Sequence, residues 1–299
     1  MTTLADLAEL VRAPAALSVP GDSLAGAAAA GWPAGRRTAL LPVASVSLYW
    51  AGMALNDWAD RELDAVERPE RPIPSGRVAP RTALALSAGL TATGVGLAAA
   101  AGGVPAAAVA TALAGAVWAY DLSAKSGPGS TAVMASTRGL DVLLGAAAGG
   151  APAVRSALVP AALVAAHTAA VTALSRGEVH GTSTSTARGA AVVTGVVAAL
   201  VPTVAAGRGG RQHWGTAAVA AAVAACAAAS YASSVGRAQL AAVRDPGAAT
   251  TRAATVAGIR GMVPLQAGLV AAAGEVRGAL ALGAVSWAAR SAMRRGSPT

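Results

Sequence analysis

The sequence predicts an all-α fold, a polytopic transmembrane helical bundle of nine or ten spans around a central cavity, in a single domain over residues 1–299. Three observations predict it. Charged residues are 12% of the chain against roughly 25% in a soluble domain, too few for a water-facing surface. Apolar residues make up 55% and the mean hydropathy is +0.54, with Ala, Val, Leu and Gly carrying the hydrophobicity because Phe is absent. These residues come in runs of about 20, the length that crosses a hydrocarbon core. High hydrophobicity with sparse charge excludes disorder, and the single Cys226 excludes a disulfide framework.

Taken in order, the runs fall at 13–31, 38–57, 81–101, 104–121, 131–150, 155–175, 188–206, 214–235, 254–273 and 276–293. Pro20 and Asp22 break the first, and Pro264 and Gln266 interrupt the ninth, so the count is nine or ten. Residues 1–12 carry Asp6 and Glu9 before any Arg, unlike the basic start of a secretory signal, and predict no cleavage. The net charge of +9 lies in short gaps between runs, which reads as a topology signal and not as a nucleic-acid surface. Even-numbered gaps hold eleven basic residues, whereas the odd gaps hold Arg36, Arg37, Arg155, Arg208 and Arg211. The imbalance places the N-terminus and the even gaps in the cytoplasm.

Six of the fourteen carboxylates, Asp57, Asp60, Glu62, Asp64, Glu67 and Glu70, follow the second run directly. Asn56, Asp60 and Asp64 stand at i, i+4 and i+8, which lines three oxygen donors along one helix face. Carboxylates converging at a membrane boundary need a cation, and hard oxygen ligands suit Mg²⁺, which is held by one or two carboxylates together with substrate phosphates. A diphosphate ligand follows from that chemistry. The next segment, Arg68-Pro-Glu-Arg-Pro-Ile-Pro-Ser-Gly76, cannot continue the helix, so a loop presents Arg68 and Arg71 beside the acidic face. Arginine there can clamp phosphate oxygens in a bidentate manner. A generic cytoplasmic loop contains few acids and has no reason to adopt this order.

Asn56-Asp-Trp-Ala-Asp60-Arg-Glu-Leu-Asp64 followed by Arg71-Pro-Ile-Pro-Ser-Gly76 resembles the first aspartate-rich motif of the UbiA superfamily of intramembrane prenyltransferases. The resemblance implies that Asn56, Asp60 and Asp64 bind Mg²⁺ and through it the diphosphate of an isoprenyl donor. Arg12-Ala-Pro14 is similar to the family's N-terminal Arg-x-Pro element, which implies a phosphate contact for Arg12. Tyr120-Asp-Leu-Ser-Ala-Lys125 with Arg138-Gly-Leu-Asp141 downstream resembles the segment between its fourth and fifth helices, which implies roles for Tyr120, Lys125 and Arg138. Where the family places a second pair of aspartates, this chain reads Ser175-Arg-Gly-Glu178-Val-His180-Gly-Thr182. Only Glu178 is acidic, and the resemblance implies that it is a remaining ligand of a reduced second metal site, with His180 or Ser175 assisting. In this it is similar to the Ebo-cluster prenyltransferase-like subgroup.

The function implied is Mg²⁺-dependent transfer of an isoprenyl group from a polyprenyl diphosphate to a small or lipid acceptor within the bilayer. The expected location is the bacterial inner (plasma) membrane, with the motif loops cytoplasmic. Asp60, Asp64, Lys125 and Arg138 are then catalytic, and Arg12, Asn56, Arg68, Arg71, Tyr120 and Glu178 bind substrate. The acceptor is not encoded in any motif. The alternatives are a transport-type or non-catalytic binder of a prenyl diphosphate or lipid. Asp121 fits a metal ligand and a helix-end charge equally, an Arg138–Asp141 ion pair competes with a substrate role, and His167 reads as a hydrogen-bonded helix contact.

Overall fold

The computed structural model describes residues 2–125, 127, 129–207 and 214–295, and all regular structure among them is helical. Arg208 and Arg211 lie outside the described residues. Helix α1 (Leu4–Leu10) opens with a capping box, in which Thr3 Oγ1 accepts from the Asp6 amide and the Asp6 carboxylate accepts from the Thr3 amide. A 3₁₀ turn, Ala13–Ser18, leads into α2 (Pro20–Ala29), with Pro20 at the first helical position where its missing N–H costs nothing. Helices α3 (Leu40–Ala59) and α4 (Arg61–Glu67) meet at Asp60, and the backbone ladder continues across the joint through Asp60 N to Asn56 O and Asp64 N to Asp60 O. Then follow α5 (Pro80–Ala119), α6 (Ser130–Ala146), α7 (Gly150–Ser175), α8 (Thr184–Leu200), α9 (Trp214–Arg244), α10 (Ala248–Ala272) and α11 (Val276–Arg295).

Among the described residues, six segments are long and apolar enough to cross a membrane. Two of them, Pro80–Ser123 and Ser130–Ser175, have 44 and 46 residues. As straight helices they would reach about 65–70 Å, more than twice a hydrocarbon core of about 30 Å. Each is broken near its centre. Gly103 takes φ +64° just before Pro105, and Gly150 takes φ +67° after the 3₁₀ turn Ala147–Gly149. Glycine alone adopts such angles without a steric penalty. The first break falls between the runs expected at 81–101 and 104–121, while the second, at Ala147–Gly150, falls in the last turn of the run expected at 131–150. Length and apolarity thus mark six segments, and the span expected at 13–31 takes the form of a 3₁₀ turn plus the ten-residue α2.

Helix α2 lies inside the bundle, with Asp22, Ser23, Ala25 and Ala27 fully buried. It presses on α6 backbone to backbone. A Cβ on Gly26 would stand 1.7 Å from Val142 O, and one on Gly145 would stand 1.8 Å from Ser23 O. Around this contact the main core joins α2, α6 and α7 to α8, α9 and α10 through Val142, Val164, Val197, Tyr231 and Leu265. A second core packs α3, α5 and α6, and a third seals Leu10 and Val11 over Ile73, Val78 and Ala83. That third core folds the loop after α4 back beneath the N-terminus. Large apolar side chains such as Leu158, Val192, Val196 and Ile259 face outward, as a lipid-facing surface requires.

Filling either glycine forces backbone apart, so Gly26→Ala and Gly145→Ala are each expected to lower the thermal unfolding midpoint, by an overpacking cost of about 1–3 kcal/mol. Gly115→Ala on α5, where a Cβ meets open space, serves as the control and leaves the midpoint unchanged or raises it. Equal midpoints for all three in detergent would remove the close α2–α6 contact.

Candidate functional site

The ends of α3, α5, α7 and α9 bring the four even gaps together at one end of the bundle. Lys125 Nζ reaches Asp60 Oδ2 at 2.7 Å, Arg176 donates to Gly127 O at 3.0 Å, and the Thr182 amide donates to Pro246 O at 2.9 Å. Gly181, at φ +88°, allows the last contact, since a Cβ there would stand 2.5 Å from Pro246 O.

The acidic stretch divides into two networks. In the first, Asn56 Nδ2 donates to Asp121 Oδ1 at 3.1 Å, and Asp60 is paired with Lys125. Asp60, Asp121 and Lys125, with Trp58 and Arg61, line a cavity of about 320 Å³. In the second, Asp57 and Asp64 are buried and face Arg12 and Arg71. Arg12 lies 2.8 Å from Asp57, and Arg71 lies 2.6 Å from Asp64 and 3.5 Å from Asp57. The Arg12 backbone is left-handed at φ +48°, a conformation costly for arginine, and the Asp57 contact holds it there.

Asp64 follows Asp60 by one helical turn, and its carboxylate pairs with Arg71, which the loop folding back under α1 brings to it. Arg68 points outward and makes no side-chain pair among the described residues. Glu178 lies on another cavity, of about 340 Å³, together with Ser175, Tyr49, Tyr120 and Arg138. His180 is exposed and does not line it. Asp121, undecided in sequence, bonds to Asn56 and lines the cavity with Asp60 in the first network.

Arg138 pairs with Asp22 and not with Asp141. Its Nε is 2.9 Å from Asp22 Oδ2, and it donates to Ser18 O at 3.2 Å. Long helical side chains lean toward the helix N-terminus, away from a residue three positions later. Asp141 instead accepts from Ser45. Gln266 Nε2 completes the group, donating to Asp22 Oδ1 at 2.7 Å and Ser18 O at 2.8 Å. Sequence reading treated Asp22 and Gln266 only as interruptions, although a carboxylate inside an apolar run signals a partner elsewhere in the bundle. His167 is a helix contact, its Nε2 3.0 Å from Gly258 O and its Nδ1 2.8 Å from Tyr231 Oη. Since a carbonyl only accepts, Nε2 carries the proton and Nδ1 accepts from Tyr231.

Among the described residues no three His, Cys, Asp or Glu side chains assemble into a metal cage. The first network still fits Mg²⁺. It offers an amide and two carboxylates at a cavity mouth, a small set of hard oxygens that leaves positions for water and phosphate.

A clasp holds α1 to this end. Arg77 reaches Asp6 at 2.9 Å, Glu9 at 2.6 and 2.9 Å, and Glu70 O at 2.8 Å. Hydrogen bonds from Thr3, then the Arg77 contact, lower the Asp6 pKa from 3.8 to about 2, and Arg77 also lowers that of Glu9.

An all-helical bundle with six apolar segments long enough to cross a membrane among the described residues, and an acidic and basic cluster at one end, defines an integral membrane protein. The chain belongs to the UbiA prenyltransferase family, whose profile matches residues 18–244. It is 38% identical over 152 residues to a digeranylgeranylglyceryl phosphate synthase of Natronomonas pharaonis, covering 50% of this chain and 54% of that one. To the protein of the same name from Halobacterium salinarum it is 36% identical over 157 residues, covering 51% and 56%. With that of Methanopyrus kandleri it shares 52% over 59 residues, 20% of this chain and 22% of that one. The chain thus spans about half or less of the length of these curated relatives. A solved structure concerning digeranylgeranylglyceryl phosphate synthase in membranes shares the fold at TM-score 0.64 and 16% identity, covering 92% of this chain and 99% of that one. An apo UbiA homologue from Aeropyrum pernix K1 does so at 0.61 and 18%, covering 86% and 96%.

Because the folded Asp6 pKa lies below its unfolded value, the clasp contributes fully above about pH 4 and is lost as pH falls through about 2. Hydrogen exchange of the α1 amides, corrected for intrinsic rates, is therefore expected to stay slow down to pH 4 and to rise below pH 3. Arg77→Ala should raise it already at pH 7. Release of α1 near pH 5 in the unsubstituted protein would contradict the assignment.

Proposed function

We propose that this protein transfers an isoprenyl group from a polyprenyl diphosphate to a small or lipid acceptor within the membrane, with Mg²⁺ as cofactor and the clustered gaps cytoplasmic. The observation that carries the reading is the first network, where Asp60 and Asp121 line one cavity, Asn56 bonds to Asp121, and Lys125 pairs with Asp60. Arg61 lines the same cavity but is paired with Glu62, so two carboxylates against the Lys125 ammonium favour a diphosphate bound together with a divalent cation. Asn56, Asp60 and Asp121 would hold Mg²⁺, which draws charge from the leaving diphosphate and eases cleavage of the C1–O bond.

Lys125, Arg12 and Arg71 are near enough to exchange a carboxylate for a phosphate oxygen and so stabilise the leaving group. Asp64 and Asp57 keep the two arginines extended toward it. Tyr120, next in sequence to Asp121, lines the larger cavity, where the prenyl chain lies away from water. A lipid acceptor agrees with the glyceryl phosphate in the names of the relatives. One observation favours a binder without turnover. Thr182 stands where a second carboxylate would complete a pair with Glu178, so the second acidic motif is incomplete.

Purified protein with Mg²⁺ and a polyprenyl diphosphate series is expected to release diphosphate when an acceptor extract is supplied. Asp60→Asn and Asp121→Asn should each reduce release by about 100-fold or more. Binding that depends on Asp60, with no release from any donor, would decide for the binder. Full activity in Asp121→Asn would return Asp121 to a helix-end charge.

A further inference from the structure

A third cavity, of about 460 Å³, lies between α9 and α10 beside Gly283 of α11, and Arg260 lines it. Arg260 is the central residue of α10 (Ala248–Ala272), with about 18 Å of helix to either end in a hydrocarbon core of about 30 Å. It is exposed and, among the described residues, makes no ion pair and no side-chain hydrogen bond. The chain cannot supply its counter-charge. All fourteen carboxylates lie among the described residues, and those within the candidate spans, Asp57, Asp121 and Asp141, are buried, as is Asp22. The rest lie outside the spans. A second copy of the chain therefore has no outward-facing carboxylate to offer at this depth.

The walls around this charge carry further polar groups. Pro264, inside α10, has no N–H to give the Arg260 carbonyl its i+4 hydrogen bond. Ser230 and Ser234 of α9 line the same cavity. The Ser230 hydroxyl makes no side-chain hydrogen bond, and Ser234 donates to Ser230 O at 2.7 Å, which leaves its own oxygen free to accept. Helical side chains lean toward the helix N-terminus, so Arg260 leans toward Ala248 and the end where the gaps cluster.

We propose that this cavity holds one anionic phospholipid, with its phosphate on Arg260, a headgroup hydroxyl between the Arg260 carbonyl and Ser230, and its acyl chains along Ala227 and Val263. A charge facing outward from the middle of a span requires an anion that the bilayer itself supplies. Phosphate oxygens take a guanidinium in a bidentate manner, and a cavity of this size with alanine and valine walls suits a headgroup with its chains. The site lies apart from the acidic end of α3 and α4 and does not depend on the prenyl-transfer reading.

The full chain in neutral detergent is titrated with phosphatidylglycerol and with phosphatidylcholine of the same acyl chains, with native mass spectrometry reading the lipid retained and thermal unfolding reading stability. The wild type is expected to retain one phosphatidylglycerol at least about tenfold more tightly than phosphatidylcholine. Arg260→Gln should abolish that difference, whereas Arg252→Gln, the same change near the end of the same helix, keeps it within about twofold. Ser230→Ala should weaken phosphatidylglycerol about threefold. Without lipid, Arg260→Gln loses an uncompensated charge and unfolds at or above the wild-type midpoint, and phosphatidylglycerol then raises the midpoint of the wild type alone. A lower lipid-free midpoint for Arg260→Gln would place an ionic partner inside the chain and overturn the proposal. Equal retention of the two lipids by the wild type would overturn it in favour of an acidic side chain on another membrane helix. Equal loss in Arg252→Gln, or displacement of the lipid by inorganic phosphate, would overturn it as well.

Discussion

An ionisable group inside an apolar bundle must find a counter-charge or a hydrogen-bond partner within the same bundle, because lipid offers neither. This requirement organises the protein more than helix propensity does. Asp22 draws Arg138 across from α6, Lys125 reaches back to Asp60 from the end of α5, and Arg12 and Arg71 converge on Asp57 and Asp64. Each pairing ties segments that are far apart in sequence. Removing one partner would leave a buried charge uncompensated, which costs several kcal/mol, so the pairs fix the arrangement even where they add little net stability.

The consequences reach the backbone. The short α2 stays inside the bundle because its carboxylate is answered by Arg138 and Gln266, and because Gly26 and Gly145 let it lie directly on α6. Arg12 accepts a left-handed conformation for its bond to Asp57. Strain of that kind survives only where neighbours over-determine it, and here the α1 clasp and the Leu10–Val78 core do so.

Much of this was legible in the sequence. Composition and run length showed the membrane bundle, the Gly103 break fell at an expected gap, and the Asn56–Asp64 motif marked the family. What stayed hidden was pairing. Spacing along α3 and α4 places Asn56, Asp60 and Asp64 on one face, yet cannot say that a loop ending at Gly76 folds back to give Asp64 to Arg71. Nor does periodicity reveal that Asp121, 65 residues from Asn56, completes the first network. Arg138 and Asp141 looked like a local pair because sequence reading counts positions, while side-chain direction sent Arg138 to another helix.

Burial sorts the pairs into two kinds. Asp22 is fully enclosed and the side chain of Arg138 is 16% exposed, so neither can change partner without paying desolvation in full. Asp60 and Lys125 are 28% and 27% exposed at a cavity mouth, where water screens their attraction and an ion pair is worth little. A phosphate or a divalent cation can therefore replace either partner at small cost. The same chemical pair is a permanent strut at one depth and an exchangeable ion pair at another.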